Sequence, residues 1–120
     1  MEKQELGSFG EDVASAFLEK KGFTLIRRNF SCRLGEIDII ATEGEYLSFV
    51  EVKLRRDASH GEAREFVTRA KQKRIILAAR YWLSQHPTDL QPRFDVVEVY
   101  TPTGPRGKIY VRLIRNAFSL

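Results

Sequence analysis

The chain has 120 residues, of which 42% are hydrophobic and 30% charged, and its formal net charge is +4. This length and composition predict one folded domain over residues 1–120 and exclude a disordered chain. A single cysteine, Cys32, cannot form an internal disulfide. With only this cysteine and two histidines in the whole chain, a structural zinc site is not expected. No apolar run is long enough to cross a bilayer, and the first residues, MEKQELGSFGE, contain no apolar signal segment, so a cytoplasmic protein is expected.

The hydrophobic patterns predict seven elements in the order α-β-β-β-α-β-β. They are a helix over 9–21, strands over 23–30, 36–41 and 46–54, a helix from Glu62 or Glu65 to Gln85, and strands over 94–100 and 109–114. Hairpins and a helical crossover both occur in this order. It therefore predicts a mixed α/β fold, with a central mixed sheet flanked by helices.

Basic residues are concentrated in one part of the chain. Residues 53–80 carry nine basic and three acidic side chains, for a local charge of +6, whereas residues 1–22 and 23–52 each have a charge of −2. A polyanion such as nucleic acid would be attracted mainly to the basic segment. Solvated Lys and Arg on a helix surface would give the same pattern, so charge alone does not decide between the two readings.

The stretch GEIDIIATEGEYLSFVEVK, residues 35–53, predicts a hairpin that carries charge where apolar residues are expected. Side chains alternate between the faces of a strand, so Glu51 and Lys53 share one face. A two-residue tip places Asp38 diagonal to Glu51, and a four-residue tip places it directly opposite. Either register brings the three charged side chains to one face, with β-carbons about 5–8 Å apart. A three-residue tip would turn the strand over.

Two neighbouring carboxylates on a half-buried face repel each other, so either one takes up a proton or a cation binds between them. Mg²⁺ suits such a site because it prefers oxygen ligands and commonly takes one or two carboxylates with water and phosphate. Lys53 can then orient or help deprotonate a water on the ion and offset charge on a phosphate. The alternatives are a structural ion-pair cluster, which is seldom more stable than apolar residues, and partial exposure at a sheet edge.

An Asp on one strand followed by Glu-x-Lys on the next resembles the PD-(D/E)XK nuclease superfamily, which includes restriction endonucleases and archaeal Holliday-junction resolvases. More narrowly, the chain resembles the small bacterial YraN family. The matching stretches are GSFGEDVASAFLEKKGFTLIRRNF, GEIDIIA, LSFVEVKLR, FVTRAKQKRI, RFDVVEV and RNAF, and they span nearly the whole chain. The resemblance implies a restriction-endonuclease-like αβββαβ core, with the active site where the second and third strands diverge.

The resemblance also implies roles for individual residues. By position, Asp38 and Glu51 would bind Mg²⁺, for which Mn²⁺ can substitute, and the backbone carbonyl of Val52 would complete the protein ligands. Lys53 would be the catalytic lysine. Ile37 stands where the superfamily's name has a proline, which is a common departure.

Glu11 is a further candidate for the catalytic and metal-binding set. It matches an acidic residue that junction resolvases supply from the first helix. The spacing Ser8-x-x-Glu11 equally predicts a capping box, in which the glutamate would only accept a backbone N–H. Both interpretations stay open at this point.

The second predicted helix carries candidates for nucleic-acid binding. A step of 100° per residue places Lys71 and Arg74 on one face with apolar residues, namely Val67, Ala70, Ala78 and Tyr81. Long basic side chains on such a face either extend harmlessly to solvent or reach phosphates beside the metal, and we favour the second reading. Arg33 and Arg55 are further candidates for contact with the nucleic-acid backbone.

Two other residues are given structural roles. Asp95 shares a strand face with Val97 and Val99, so we expect it to pair with an internal Arg or Lys rather than to bind a metal. Trp82, at its helical phase, is expected in the core or an interface rather than on a base-stacking surface.

Together these patterns predict a metal-dependent nuclease that hydrolyses phosphodiester bonds, with DNA favoured over RNA and branched DNA suggested by analogy alone. The main alternative is a nucleic-acid-binding module that keeps the scaffold without turnover. A third reading is a protein–protein adaptor in which the charged cluster is structural. A homodimer is compatible with the nuclease reading because cutting two strands needs two sites.

Overall fold

The computed structural model describes residues 3–56 and 67–119. Its seven elements are α1 (Lys3–Lys20), β1 (Thr24–Cys32), β2 (Gly35–Glu43), β3 (Tyr46–Arg55), α2 (Arg69–Gln85), β4 (Gln91–Tyr100) and β5 (Tyr110–Phe118). The predicted mixed α/β class and order of elements are confirmed. In the part of the chain that the model describes, no helix combines the length and apolar character that a membrane span requires.

The five strands form one sheet in chain order. Neighbouring strands run antiparallel except for β3 and β4, which are parallel because α2 lies between them in the chain. Each helix covers one face of the sheet. The α1 side buries a cluster that includes Leu18, Ile39 and Val50, and the α2 side buries one that includes Phe49, Ile75 and Trp82.

The first helix begins six residues earlier than the sequence pattern predicts. It includes Ser8 in its interior, so Ser8 is not an N-cap and the capping-box interpretation of Glu11 is wrong. The glycines at 7 and 10 do not stop the helix. A β-carbon on Gly10 would lie 3.7 Å from side-chain atoms of Val52 and Leu54, so the helix packs closely on β3 there.

The β2–β3 hairpin closes with Gly44 and Glu45 at its tip, and Gly44 has a φ of 57°, which favours glycine. The paired residues run from Glu43 opposite Tyr46 to Ile39 opposite Val50. This is the register that puts Asp38 directly opposite Glu51, although the tip has two residues rather than the four expected for that register. The regular pairing stops at Ile39, so the two strands separate at Asp38.

The second helix begins at Arg69, and the hydroxyl of Thr68 caps it by accepting from the Lys71 amide at 3.1 Å. The predicted starts at Glu62 and Glu65 lie outside the described residues. Its buried face consists of Ile75, Ala78, Ala79 and Trp82. Trp82 is therefore in the core, as predicted. The buried face differs from the predicted one by a rotation about the helix axis. Ala70 and Tyr81, which were predicted on the inner face, are exposed, and Lys71 and Arg74 lie at the border of the buried face.

Candidate active site

A pocket of about 440 Å³ opens where β2 separates from β3, beneath the N-terminal half of α1. The residues that line it are Gly7, Gly10, Glu11, Asp38, Glu51, Val52, Lys53, Leu54 and Lys71. Asp38, Glu51 and Lys53 therefore converge on one pocket, as the alternation of strand side chains predicts.

Asp38 takes the place of a strand partner for β3. Its Oδ2 accepts a hydrogen bond from the Val52 amide at 2.7 Å. The N–H and C=O of one strand residue point to the same edge of the strand, so the Val52 carbonyl is also directed towards the gap between β2 and β3. The gap thus gathers two kinds of oxygen donor, carboxylate and carbonyl.

Glu51 is 4% exposed and is surrounded by ammonium groups. Its Oε1 lies 3.1 Å from the Nζ of Lys71 and 3.8 Å from the Nζ of Lys53. Lys71 reaches the carboxylate from α2, whereas Lys53 is on the same strand and face as Glu51. The burial of this carboxylate is therefore offset by two positive charges.

The electrostatics of the pocket favour a proton on Asp38. Burial and the neighbouring Glu51 charge raise the pKa of Asp38 to about 7, and the hydrogen bond from Val52 only partly opposes them. Burial disfavours the charge on Lys71, but the Glu51 carboxylate outweighs this effect and raises the pKa of Lys71. The carboxylate pair of Asp38 and Glu51 therefore gains or loses one proton close to neutral pH.

Glu11 lies on the α1 wall of the same pocket. Its charge contributes to the raised pKa of Asp38, which places its negative field at the carboxylate pair. Its Oε1 is also 3.7 Å from the Nη2 of Arg28, which donates a shorter hydrogen bond of 2.8 Å to Asp12. Glu11 is thus shared between the pocket and a surface ion pair.

The four basic candidates lie in different places. Lys71 lines the pocket, and Arg74 lines a smaller cleft beside it together with Gly35, Glu36, Lys71 and Ile75. Arg33 lies in the β1–β2 turn and Arg55 at the end of β3. Neither of these two is among the described residues that line the candidate pocket.

Sequence reasoning missed a buried carboxylate on the strand beside Glu51 and Lys53. Glu98 on β4 is fully buried, pairs in register with Lys53, and accepts a hydrogen bond from the Tyr100 hydroxyl. Burial and this hydrogen bond raise the pKa of Tyr100 to about 12. The signal was present as an acidic residue inside the apolar run FDVVEVY.

Asp95 has the structural role that the sequence predicts. Its carboxylate accepts hydrogen bonds from the Arg93 guanidinium at 2.9–3.0 Å, from the Ser48 hydroxyl, and from the Asn116 amide at 2.8 Å. The group lies at the end of the sheet near the hairpin tip, away from the pocket. It connects β3, β4 and β5, so the charge is buried with a full set of partners.

The donor set fits Mg²⁺ or Mn²⁺. Within the described residues, no group of three or more His, Cys, Asp and Glu side chains is arranged to hold a metal ion. Two carboxylates and one carbonyl nevertheless suit a hard cation that keeps several waters and shares its remaining positions with a phosphate. No histidine or cysteine is among the described residues that line the pocket, which argues against zinc.

The fold and the pocket define a mixed α/β domain with an Asp and a Glu-x-Lys cluster where two strands separate. The chain belongs to the uncharacterised protein family UPF0102, whose model matches residues 10–99. It is 50% identical over 118 residues to a UPF0102 protein from Desulforapulum autotrophicum, covering 98% of this chain and 95% of that protein. It is also 44% identical over 119 residues to one from Caldicellulosiruptor saccharolyticus, covering 98% and 100%. These similarities confirm the predicted YraN family membership.

Proposed function

We propose that this protein is a nuclease that depends on a divalent metal and hydrolyses phosphodiester bonds, with DNA as its substrate. The observation that carries the proposal is the convergence of Asp38, Glu51 and Lys53 on one pocket at the point where β2 leaves β3. The resemblance to PD-(D/E)XK nucleases predicts this set of residues in this place. The basic side of α2, which consists of Lys71 and Arg74, lies beside the pocket and adds the positive charge that a polyanionic substrate requires.

Asp38, Glu51 and the Val52 carbonyl would hold Mg²⁺. When bound, the ion would supply a more acidic water and neutralise negative charge on the phosphate. Asp38 has to lose its proton before it can act as a ligand, and its pKa of about 7 places that step near neutral pH. The Val52 amide can donate its hydrogen bond to the ionised carboxylate of Asp38 as well as to the protonated one. It therefore keeps the side chain in place after the proton is lost.

The two lysines would act on the substrate. Lys53 and Lys71 both neutralise Glu51 in the structure. A divalent cation at Glu51 would repel both ammonium groups, which are then available to a phosphate oxygen at the mouth of the pocket. Lys53 would stabilise the charge that develops on the attacked phosphate, and Lys71 would position the neighbouring phosphate.

A second candidate function is a nucleic-acid-binding module without turnover. One observation favours it, namely that Glu51 is already neutralised by Lys71 at 3.1 Å, while Asp38 binds a proton near neutral pH. The carboxylate pair is therefore stable without a metal. This module would bind nucleic acid through the same basic side of α2 and cleave nothing.

The test uses a labelled four-way junction, a duplex and a single strand of the same sequence, as DNA and as RNA, with Mg²⁺ or Mn²⁺. Asp38→Asn and Lys53→Met are compared with the surface changes Asp89→Asn and Lys73→Met, since both control residues are exposed. Folding is checked by circular dichroism. Cleavage of DNA by the wild type and both controls, with at least a hundredfold loss in Asp38→Asn and Lys53→Met, supports the nuclease. Salt-sensitive binding without cleavage supports the binding module, and no binding at low salt contradicts both.

A further inference from the structure

A second depression, of about 650 Å³, lies between the β1–β2 turn and the C-terminal half of α2. We call it the aromatic groove, and the residues that line it are Phe30, Ser31, Cys32, Arg33, Leu34 and Tyr81. The lining of the groove is mostly apolar. The chemistry proposed for the metal site does not involve this groove. Its size is in the range of pockets that take a small flat ligand.

Tyr81 gives the groove a flat, supported wall. The side chain is 45% exposed, yet its ring stacks on Phe30 with the centroids 6.3 Å apart and the planes at 18°. Phe30 is in turn held by Trp82, edge to face at 5.2 Å. One ring is therefore presented to solvent on a support that reaches the core, which is the arrangement that stacks well against another planar group.

Positive charge surrounds this aromatic surface. Arg33 is part of the lining, and the guanidinium of Arg27 lies 5.6 Å from the centre of the Phe30 ring. Arg74 and Lys71 continue the positive charge towards the proposed active site. Both line the smaller cleft described above, and Lys71 also lines the active-site pocket. A planar apolar group attached to an anionic chain complements this surface, and a nucleobase on its phosphate backbone is such a group.

A cleft lined by Gly35, Glu36, Lys71, Arg74 and Ile75 lies along α2 between the groove and the proposed active site. The backbone of Gly35 packs against the Arg74 carbonyl there, where a β-carbon would come within 2.7 Å. Lys71 and Tyr81 are ten positions apart on α2, which corresponds to about 15 Å at a rise of about 1.5 Å per residue. At about 3.4 Å per nucleotide, the rise of a strand in a duplex, the groove is about four nucleotides from the phosphate at Lys71, and a more extended unpaired strand spans the same distance with fewer.

We propose that the aromatic groove binds one unpaired base of the substrate strand, stacked on Tyr81. This inference rests on the proposed function and narrows its substrate class. A continuous duplex keeps its bases stacked and paired, so it cannot fill the groove without paying for unstacking. The substrates expected are nucleic acids with an unpaired base within about four nucleotides of the phosphate at Lys71, as at branch points, gaps and flaps.

The test places 2-aminopurine, a fluorescent base that is quenched by stacking, at single positions from about two to about six nucleotides from the junction of a gapped duplex. Binding is measured in EDTA, so that no cleavage is needed. The wild type should quench the probe at one unpaired position. Tyr81→Ala should abolish that quenching and weaken binding to gapped DNA about tenfold, with less than a twofold effect on continuous duplex.

Two matched variants serve as controls. Tyr81→Phe keeps the ring and should keep the quenching. Tyr110→Ala removes another exposed tyrosine, 53% exposed, from the opposite edge strand and should change nothing. Equal weakening of gapped and continuous DNA by Tyr81→Ala, or no weakening of either, would overturn the proposal. Sedimentation showing that Tyr81→Ala splits a dimer, with base quenching unchanged, would assign the groove to a second copy of the chain instead.

The readout separates this proposal from the nuclease proposal. Base quenching in EDTA without cleavage in Mg²⁺ or Mn²⁺ would retain the groove and remove the nuclease. Cleavage that depends on Asp38, without quenching at any position, would retain the nuclease and remove the groove.

Discussion

The Oδ2 of Asp38 accepts a hydrogen bond from the Val52 amide at 2.7 Å, at the position where backbone pairing between β2 and β3 has just ended. One carboxylate thus satisfies an amide that the missing strand partner would otherwise leave open. This hydrogen bond fixes the side chain within the fold itself. The pocket is therefore preorganised, since the same contact that ends the sheet pairing holds Asp38 beside Glu51.

The raised pKa of Asp38 predicts how its replacement affects stability at different pH values. Between its ordinary value of 3.8 and about 7, the unfolded chain has lost this proton while the folded chain keeps it. The stability of the wild type should therefore fall as the pH rises through this window and level off above it. Asp38→Asn cannot ionise, so its stability relative to the wild type should rise from pH 4 to pH 8 by up to about 4 kcal/mol, because the pKa is raised by about three units and each unit corresponds to about 1.4 kcal/mol.

Urea unfolding of both proteins at pH 4, 5.5, 7 and 8 measures this difference. An asparagine oxygen can still accept from the Val52 amide, so the fold should persist. Asp89→Asn changes an exposed aspartate of the connection between α2 and β4, and it should show no such trend. A stability difference that stays constant or falls with pH would mean that Asp38 is ionised throughout the range.

The placement of Asp38 on the same face as Glu51 could be predicted from sequence because strand alternation and a short hairpin leave few registers, whereas the choice between a diagonal and a directly opposite position could not. The start of α1 could not, because the apolar stripe from Phe9 onwards marks only the part of the helix that packs on the sheet. The residues before it have no such stripe, and their helical state follows from continuity with the packed turns.

The site was predictable in its strand residues and less so in its helix residues. Lys71 was expected to reach phosphates, but its ion pair with Glu51 depends on how α2 is rotated about its axis. That rotation is set by Ile75, Ala78 and Trp82 packing against the sheet, and a helical wheel with several apolar sides does not determine it. Tyr81 was assigned to the buried face for the same reason, so the aromatic groove could not be predicted.

Lys71 should compete with a divalent cation for Glu51. Its Nζ lies 3.1 Å from the carboxylate, and its side chain is 46% exposed, so solvent weakens the pair without abolishing it. Lys71→Met should therefore increase the affinity for Mn²⁺ about three- to tenfold, although it should weaken binding to nucleic acid. Electron paramagnetic resonance of free Mn²⁺ measures the first effect directly. Lys73→Met, at an exposed position on the same helix, should leave the Mn²⁺ affinity unchanged, and weaker Mn²⁺ binding by Lys71→Met would show that the lysine supports the metal site.

Gly35 should tolerate no side chain. A β-carbon there would lie 2.7 Å from the backbone oxygen of Arg74, and a backbone atom in a packed helix cannot move aside easily. Gly35→Ala should therefore destabilise the protein by about 1–3 kcal/mol, as overpacking usually does. Gly10→Ala is the matched control, because its β-carbon would meet Val52 and Leu54 at an ordinary 3.7 Å and alanine favours the helix. Thermal unfolding should show a lower midpoint for the first variant and an equal or higher one for the second, and equal midpoints would contradict the close contact of β2 with α2.

Asp95 should be among the most sensitive residues of the sheet. It is fully buried, and the Arg93 guanidinium is held between it and Glu43, with Nη2 2.6 Å from the Glu43 Oε1. Asp95→Ala leaves the buried guanidinium with Glu43 as its remaining carboxylate partner and leaves the Asn116 amide without its acceptor, so we expect a loss of about 3–5 kcal/mol in the free energy of unfolding. Replacing Arg93 as well, in Arg93→Met/Asp95→Leu, should restore part of the loss, because an apolar pair leaves no unpaired charge. Urea denaturation of the single and double variants measures this, and a loss below about 1 kcal/mol for Asp95→Ala would mean that the network contributes little.

Glu43 should support the fold mainly above pH 4.5. Hydrogen bonds from Arg115, and one from Arg93, lower the pKa of Glu43 from 4.5 to about 2 against an opposing effect of burial. A lowered carboxyl pKa stabilises the folded state above the ordinary value, and this contribution is lost as the pH falls towards the folded value. The wild type should be more stable than Glu43→Gln by about 1–2 kcal/mol at pH 6, and the difference should shrink to near zero by about pH 2. Glu45→Gln, at the exposed tip of the same hairpin, should match the wild type at every pH, whereas a pH-independent deficit in Glu43→Gln would assign its effect to packing rather than to charge.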